Sequence, residues 1–345
     1  MTTRGRYAPS PTGEIHLGNA RSALVAWWGA RSEEGDFLWR VEDIDQQRAV
    51  SGLAERQMRD LAWLGLDWEE GPDRGGPFGP YVQSERDGLY RDALRLLETR
   101  GQLFPCRRTR KELASIASAP HGPAQSPYPT RLRPTALESG WLEEALADEG
   151  SQPSSAAVRF RVAPGRVAWT DAIYGAQEED VHRAVGDFVL RRRDGVWAYQ
   201  LAVVVDDAAM QVDQVVRGAD LLDSTARQIV LQRALGVATP RYAHVPLLLT
   251  EGGEKLSKRD GSTTLASLRH AGVRPEAIVG LLAHSLGLTS NPAPRCAKDV
   301  TPYFAWHRLD SRAIVVAPDL ARRLREADRL EGLLRPLERR ASEEK

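Results

Sequence analysis

Residues 6–24 read RYAPSPTGEIHLGNARSAL. Pro9, Pro11, Gly13 and Gly18 bracket a single histidine, His16, and an apolar helical pattern starts directly afterwards. Each proline fixes its own φ and biases the residue before it toward extended backbone, so this stretch is not helical. The glycines admit turns or a close backbone approach. A stiff loop between a short strand and a helix narrows the fold to an α/β sheet entered through a strand–loop–helix unit. The start of such a helix carries free N–H groups and a partial positive charge, which suits phosphate. His16 could donate a hydrogen bond to a phosphate oxygen. An ordinary connecting loop remains the alternative at this point.

The chain continues the α/β pattern. Residues 4–8 read as a strand and Asn19 to about Glu33 as a helix with Ala23, Leu24, Trp27 and Trp28 on one face. DFLWRVEDID (36–45) reads as a buried strand ending in carboxylates, and LAERQMRDLAWLGL as a second helix. RDGLYRDALRLLETRG (86–101) is a well-marked amphipathic helix closed by Gly101. The pattern then degrades over about 104–155, where SIASAPHGPAQSPYP reads as an irregular excursion. AAVRFRV and VAWTDAIYG read as strands, and residues 102–182 as an insertion interrupting the sheet. Strand signals return in DFVLRRRDGVWAYQLAVVVDDAAM, with Asp-Gly marking a hairpin. LLDSTARQIVLQRALG (221–236) is a helix with Gly236 past its end. Helices are expected over 265–271 and 275–287, and the Arg/Glu/Leu-rich tail from about 318 reads as a peripheral helix.

Composition excludes several classes. Lys plus Arg balances Asp plus Glu, which argues against a nonspecific nucleic-acid coat while leaving room for local patches such as CRRTRK (106–111) and RRR (191–193). No run of about 18 apolar residues suggests a membrane span. The two cysteines, Cys106 and Cys296, cannot build a disulfide framework, so a cytoplasmic protein is expected. The histidines other than His16 (His121, His182, His244, His270, His284 and His307) share no ligand spacing and read as ordinary packing or surface residues.

APSPTGEIHLGN resembles the first signature of class I aminoacyl-tRNA synthetases, in the form used by the glutamate-specific branch, and KLSKR at 255–259 is similar to the second. The resemblance covers roughly residues 4–310 and implies a Rossmann-type parallel sheet with an inserted α+β subdomain and a C-terminal helical segment. The implied organisation is a first catalytic half at 1–101, an insertion at 102–182, a second catalytic half at 183–260, a helical segment at 261–317 and a helical tail at 318–345. The implied chemistry joins a glutamate carboxylate to the α-phosphorus of ATP. His16, Lys255 and Lys258 would stabilise the charge that builds on the phosphates. Pro9, Gly18, Asn19 and Lys258 would bind ATP, with Mg²⁺ travelling as part of that substrate. Arg6 and Arg217 would take the two carboxylates of L-glutamate, Glu42 its ammonium, and the Tyr199 hydroxyl would orient it, with Ala8 and Ser10 beside them.

A full-length member of this branch carries a large helical anticodon-binding region after the second signature. Of the 345 residues here, 86 follow Arg259. RGADLLDSTARQIVLQRALG also resembles a shorter branch of the family. Those proteins activate glutamate without tRNA and esterify it onto the queuosine base at the wobble position of tRNA(Asp). The implied partners are therefore queuosine-bearing tRNA(Asp), L-glutamate and ATP, with no membrane and a monomeric chain. Charging of a tRNA 3′ end and a non-catalytic binding module are the two alternatives.

One departure from the family pattern concerns zinc. Members commonly bind it through Cys-x-Cys, then a tyrosine and a third cysteine four residues later. Here Cys106 and Tyr128 remain, Arg108 stands at the second cysteine and Leu132 at the third. One thiolate and one phenol make a poor tetrahedral site, so no zinc is expected. The arginines there would instead meet tRNA phosphates or tie the insertion by ion pairs.

Overall fold

A computed structural model describes residues 2–109, 112–113, 127–147, 154, 156–256, 263–326 and 333–337. The opening unit forms as a strand, loop and helix. β1 (Arg4–Tyr7) pairs in parallel with β2 (Asp36–Trp39). The helix between them spans Leu17–Ser32 and begins two residues before Asn19. The reason is its cap: His16 Nδ1 accepts from the backbone N–H of Gly18 at 3.1 Å and of Asn19 at 3.3 Å. This helix is buried on nearly every side from Leu17 to Ala30. Its Trp28 indole N–H donates to the Ala297 carbonyl at 2.8 Å, so the helices of the C-terminal region complete the enclosure.

β2 stops at Trp39 and does not reach Asp45. The carboxylates that follow need polar partners which a buried ladder lacks. The Glu42 N–H donates to the Pro9 carbonyl at 3.0 Å, and Asp43 accepts from the Ser84 N–H and hydroxyl at 2.9 and 2.7 Å.

The main sheet has six strands in the order β2-β1-β8-β9-β5-β6, where β5 is Val167–Asp171, β6 Gly175–Glu179, β8 Gln214–Gly218 and β9 Arg241–Val245. All neighbours are parallel except the β5–β6 hairpin. From β1 the chain steps outward to β2 on one side, whereas β8 steps to β9 on the other. The order therefore reverses between β1 and β8, and a crevice opens beyond their carboxyl ends.

The stretch 102–182 divides between two sheets. β3 (Leu103–Cys106) and β4 (Ala157–Phe160) build a small antiparallel sheet that β7 (Phe188–Arg191), from beyond residue 182, completes. β5 and β6 instead join the main sheet and cover the edge of β9, with Asp171 opposite Tyr242.

The Asp-Gly turn is present, but its second arm is short. Arg191 bridges Trp197, the Ala198 N–H donates to the Leu190 carbonyl at 2.9 Å, and a helix then runs over Tyr199–Ala209. The β-branched run LAVVV imitates a strand, while enclosure of Leu201–Val204 satisfies the same apolar residues in a helix. The RRR patch is not a uniform charged face. Arg191 is buried over the Trp197 ring, whereas Arg192 pairs with Asp194 at the surface.

Helices at Leu265–His270 and Pro275–Ser285 match expectation. The end of the chain does not read as one peripheral helix. After the helix Leu320–Glu326, β12 (Leu334–Pro336) runs antiparallel to β11 (Ile314–Val316), which lies parallel to β10 (Leu248–Leu249). Leu320, Leu324 and Leu333 are buried in the main core. Strands of two or three residues leave no periodicity to detect, and their pairing partners lie far off in sequence.

Candidate active site

The crevice between β1 and β8 holds a cavity of about 360 Å³. Arg6, Ala8, Pro9, Ser10, His16, Gly18, Asn19, Glu42, Tyr199, Arg217 and Lys255 all line it. Lys258 lies outside the described residues. Arg6 stands on β1 and Arg217 on β8, so the reversal of strand order brings the two guanidiniums to one cleft across about 210 residues of sequence.

The helix start is arranged differently from a bare anion seat. The Gly18 and Asn19 N–H groups are engaged by His16, so the imidazole stands where an anion would sit. Acceptance at Nδ1 leaves the proton of a neutral ring on Nε2. Gly18 is required by this cap: a Cβ there would lie 2.9 Å from His16 Cε1. The segment that follows the second signature, from Thr264, is tied to the first. Leu265 N–H donates to the Ile15 carbonyl at 2.8 Å, and Thr264 bridges His16. Lys255 Nζ pairs with Asp220 Oδ2 at 2.5 Å on the cavity rim.

Arg6 and Arg217 sit in opposite electrostatic settings. Arg6 Nε lies 3.3 Å from Asp207 Oδ1, and its Nη1 donates to the Val216 carbonyl at 3.0 Å. Asp207 also takes Arg40 Nη1 at 2.7 Å; Arg40 Nη2 reaches Glu42 at 3.0 Å, and Asp206 receives Arg86 Nε at 2.6 Å. Burial alone would raise the Asp207 carboxyl, but Arg6 and Arg40 outweigh it and hold it below the usual range. Glu42 differs: burial raises it above the usual range against the pull of Arg40 and Arg6. A cation arriving in the cavity would favour its ionised form.

Arg217 makes no ion pair among the described residues. Its Nε donates to His244 Nε2 at 3.0 Å, Nη1 to the Tyr199 hydroxyl at 3.3 Å and Gln228 Oε1 at 2.7 Å, and Nη2 to Thr225 Oγ1 at 2.9 Å. A buried guanidinium surrounded by neutral acceptors beside a cavity is poised for an anion. Tyr199 reaches it from the first turn of the helix that sequence patterning took for a strand.

Sequence reading missed Arg40, Asp206, Asp207, Asp171 and His244 at this site. Only the Asp-Asp pair at 206–207 gave a signal, as two carboxylates ending an otherwise apolar run. His244 had none: its place comes from the β8–β9 register, which sets it opposite Arg217.

The second cavity, on the small sheet, tests the zinc site. Cys106 is buried with Phe104 and Tyr128, and half-buried Leu132 packs against them. The Tyr128 hydroxyl donates to the Leu132 carbonyl at 3.3 Å, and Arg159 sits 4.4 Å from the Tyr128 ring centroid. Burial, with Cys106 adding to it, pushes the phenol up to about 12. One thiol, an un-ionised phenol and a leucine do not fit a tetrahedral zinc. An apolar plug capped by a guanidinium occupies the corner instead. Among the described residues no group of three His, Cys, Asp or Glu side chains could hold a metal, and no helix is long and apolar enough to cross a membrane.

Known proteins resemble this chain in sequence and in fold. Residues 2–311 match the family of class I tRNA synthetases (E and Q), catalytic domain. The chain is 51% identical over 307 residues to a glutamyl-Q tRNA(Asp) synthetase of Symbiobacterium thermophilum, covering 88% of this chain and 93% of that protein. It is 49% identical to one of Nitratidesulfovibrio vulgaris, covering 93% and 98%. A solved glutamate tRNA ligase of Elizabethkingia meningosepticum, in complex with its amino acid, superposes with a TM-score of 0.81 at 30% identity, over 94% of this chain and 69% of that one. The family uses ATP, and its activity is of the glutamate–tRNA ligase type. With the crevice, the His16 cap and Lys255 assembled around one cavity, the chain belongs to the glutamyl-Q tRNA(Asp) synthetase family of class I tRNA synthetases, and it is a ligase.

Proposed function

We propose that the protein activates L-glutamate with ATP in the absence of tRNA and transfers it to the queuosine base at the wobble position of tRNA(Asp). The observation that carries this reading is the polarity of the cavity. Glu42 stands on one wall, and Arg217, held by neutral groups alone, on another. An amino acid with a side-chain carboxylate complements both ends: the ammonium meets Glu42 and a carboxylate meets Arg217. Arg6, on β1, presents the second guanidinium.

In the first step a glutamate α-carboxylate oxygen attacks the α-phosphorus of ATP. The bond to pyrophosphate breaks, and glutamyl-adenylate forms. The carboxylate is already a nucleophile, so no general base is required. His16, through its Nε2 proton, and Lys255 stabilise charge on the phosphates, with Lys258 assigned the same task. Pro9, Gly18 and Asn19 form the floor on which ATP lies, and Mg²⁺ enters with the ATP. In the second step a ring hydroxyl of queuosine attacks the glutamyl carbonyl. The ester forms, AMP leaves and the hydroxyl proton passes to solvent.

The test is transfer of radiolabelled glutamate to tRNA(Asp) with and without queuosine, followed by nuclease mapping of the label. Label on the anticodon-loop fragment of queuosine-bearing tRNA alone supports the proposal. Label on the terminal adenosine would replace it with 3′-end charging. Absence of glutamate-dependent pyrophosphate exchange would leave a binding module.

A further inference from the structure

Arg217 is held by a buried chain of groups that spans three strands. On β9, His244 is fully buried and faces Arg217 across the β8–β9 register. Its Nε2 accepts from Arg217 Nε at 3.0 Å, and its Nδ1 lies 2.6 Å from Asp171 Oδ2 at the end of β5. The other oxygen, Asp171 Oδ1, is fully committed. It accepts from the backbone N–H of Ile173 at 3.0 Å, of Tyr174 at 2.9 Å and of His244 at 3.3 Å.

We infer that Asp171 and His244 are positioning residues that orient Arg217 toward the substrate carboxylate and keep its charge unquenched. This deepens the function proposed above and rests on Arg217 being the carboxylate receptor. Asp171 accepts the Nδ1 proton, which forces the tautomer with a bare Nε2. Bare Nε2 is the only form that can accept from Arg217 Nε. The guanidinium is thereby held with its Nη atoms toward Tyr199, which lines the cavity, and toward the buried Gln228 and Thr225. The arrangement also solves a charge problem. A carboxylate placed directly against Arg217 would compete with the substrate. One imidazole away, Asp171 balances the buried cation without taking any of its N–H groups, and one Nη2 N–H carries no partner among the described residues. Burial lowers the imidazole's proton affinity; Asp171 opposes this, while Arg217 and Arg6 add to it, and the net direction favours the neutral ring.

Asp171→Asn tests the mechanism by geometry. Three backbone donors demand an oxygen at the Oδ1 place, so the new NH₂ must face His244 Nδ1. The ring then switches to the Nε2–H tautomer, which opposes Arg217 Nε–H and finds an acceptor only in Thr225 Oγ1, 3.2 Å from Nε2. Steady-state ATP–pyrophosphate exchange with the full chain is expected to give a KM for glutamate raised roughly ten- to a hundredfold. The KM for ATP and the melting temperature should stay near wild type. His244→Gln, which can place an oxygen near Nε2, should recover much of the affinity that His244→Leu loses. It also serves as the second variant if Asp171→Asn fails to fold. A merely structural role would move the KM for ATP and kcat alongside, without rescue by glutamine. An unchanged KM for glutamate in folded Asp171→Asn and His244→Leu, while Arg217→Met raises it, overturns the inference alone. An unchanged KM in Arg217→Met instead overturns the assignment of Arg217 on which the inference rests.

Discussion

Two buried arginines line the same cavity, and their surroundings differ in kind. Arg6 belongs to a cluster in which the guanidiniums of Arg6, Arg40 and Arg86 meet the carboxylates of Glu42, Asp206 and Asp207. Arg217 hydrogen-bonds to a neutral imidazole, a phenol, an amide and a hydroxyl, and lies 5.3 Å over the Tyr242 ring. The first setting neutralises charge inside the protein and ties β1, the segment after β2 and the end of the Tyr199–Ala209 helix into one frame. The second leaves a buried charge beside the cavity with no directly paired carboxylate, as the proposed glutamate site requires. Residue type alone does not separate a structural arginine from a binding one; the partners do.

This contrast can be broken in a graded way. The largest effect on stability is expected from Asp207→Asn, which leaves Arg6 and Arg40 short of a buried anion. Urea unfolding should show a loss of about 3–5 kcal/mol. Because Arg6 and Arg40 hold the Asp207 carboxyl below the usual range, the wild-type contribution is present above the pKa of an unfolded aspartate. It disappears as pH falls through the lower folded value, and Asp207→Asn should flatten that acid limb.

Arg217→Met should do the reverse. Glutamate activation is expected to fall about a hundredfold or more, through lost charge-assisted bonds to substrate. The same variant should cost about 1 kcal/mol of stability or less, since it removes a buried charge that no carboxylate pairs with directly. Comparable losses of stability for Asp207→Asn and Arg217→Met would erase the distinction between the two settings.

The smallest effect concerns Glu42, which belongs to the compensated cluster and also faces the cavity. Burial raises its carboxyl in the free protein, whereas a substrate ammonium favours the ionised form. Binding therefore expels a proton, and glutamate affinity should strengthen as pH rises through the free-protein value, then level off. Calorimetric titration with glutamate from about pH 4.5 to 8 should show up to about a tenfold change per unit on the acid side. A Glu42→Gln variant should bind more weakly and lose that slope. An identical slope in the variant would assign the ammonium to another group.

The local elements were legible to different degrees. The strand–loop–helix opening, the amphipathic helix before Gly101 and the helix ending at Gly236 announce themselves through proline, glycine and period. The Tyr199–Ala209 helix does not, because its buried run Leu201–Val204 reads as unbroken apolar sequence, as a buried strand does. The tail strand Leu334–Pro336 is hidden because three residues carry no period. The signatures at His16 and Lys255 were visible as motifs, and eleven expected site residues do line one cavity. The cap that His16 makes on its own helix, and the apolar packing of Cys106 and Tyr128 with Phe104 and Leu132, are set by the tertiary structure and leave no trace in the sequence pattern.

By itself the sequence determined the covalent inventory of this protein: a stiff loop ahead of a helix, a second lysine-bearing signature, and arginines and a glutamate at the positions where the family resemblance implies a glutamate pocket. Tertiary structure alone decided which of these charges are spent and which are kept. Asp207 reaches Arg6 and Arg40 because a helix end packs against two strand ends, and His244 reaches Arg217 because parallel strands register them side by side. The physical reason is that charge in a low-dielectric interior takes its meaning from neighbours a few ångströms away, and those neighbours are distant in the chain.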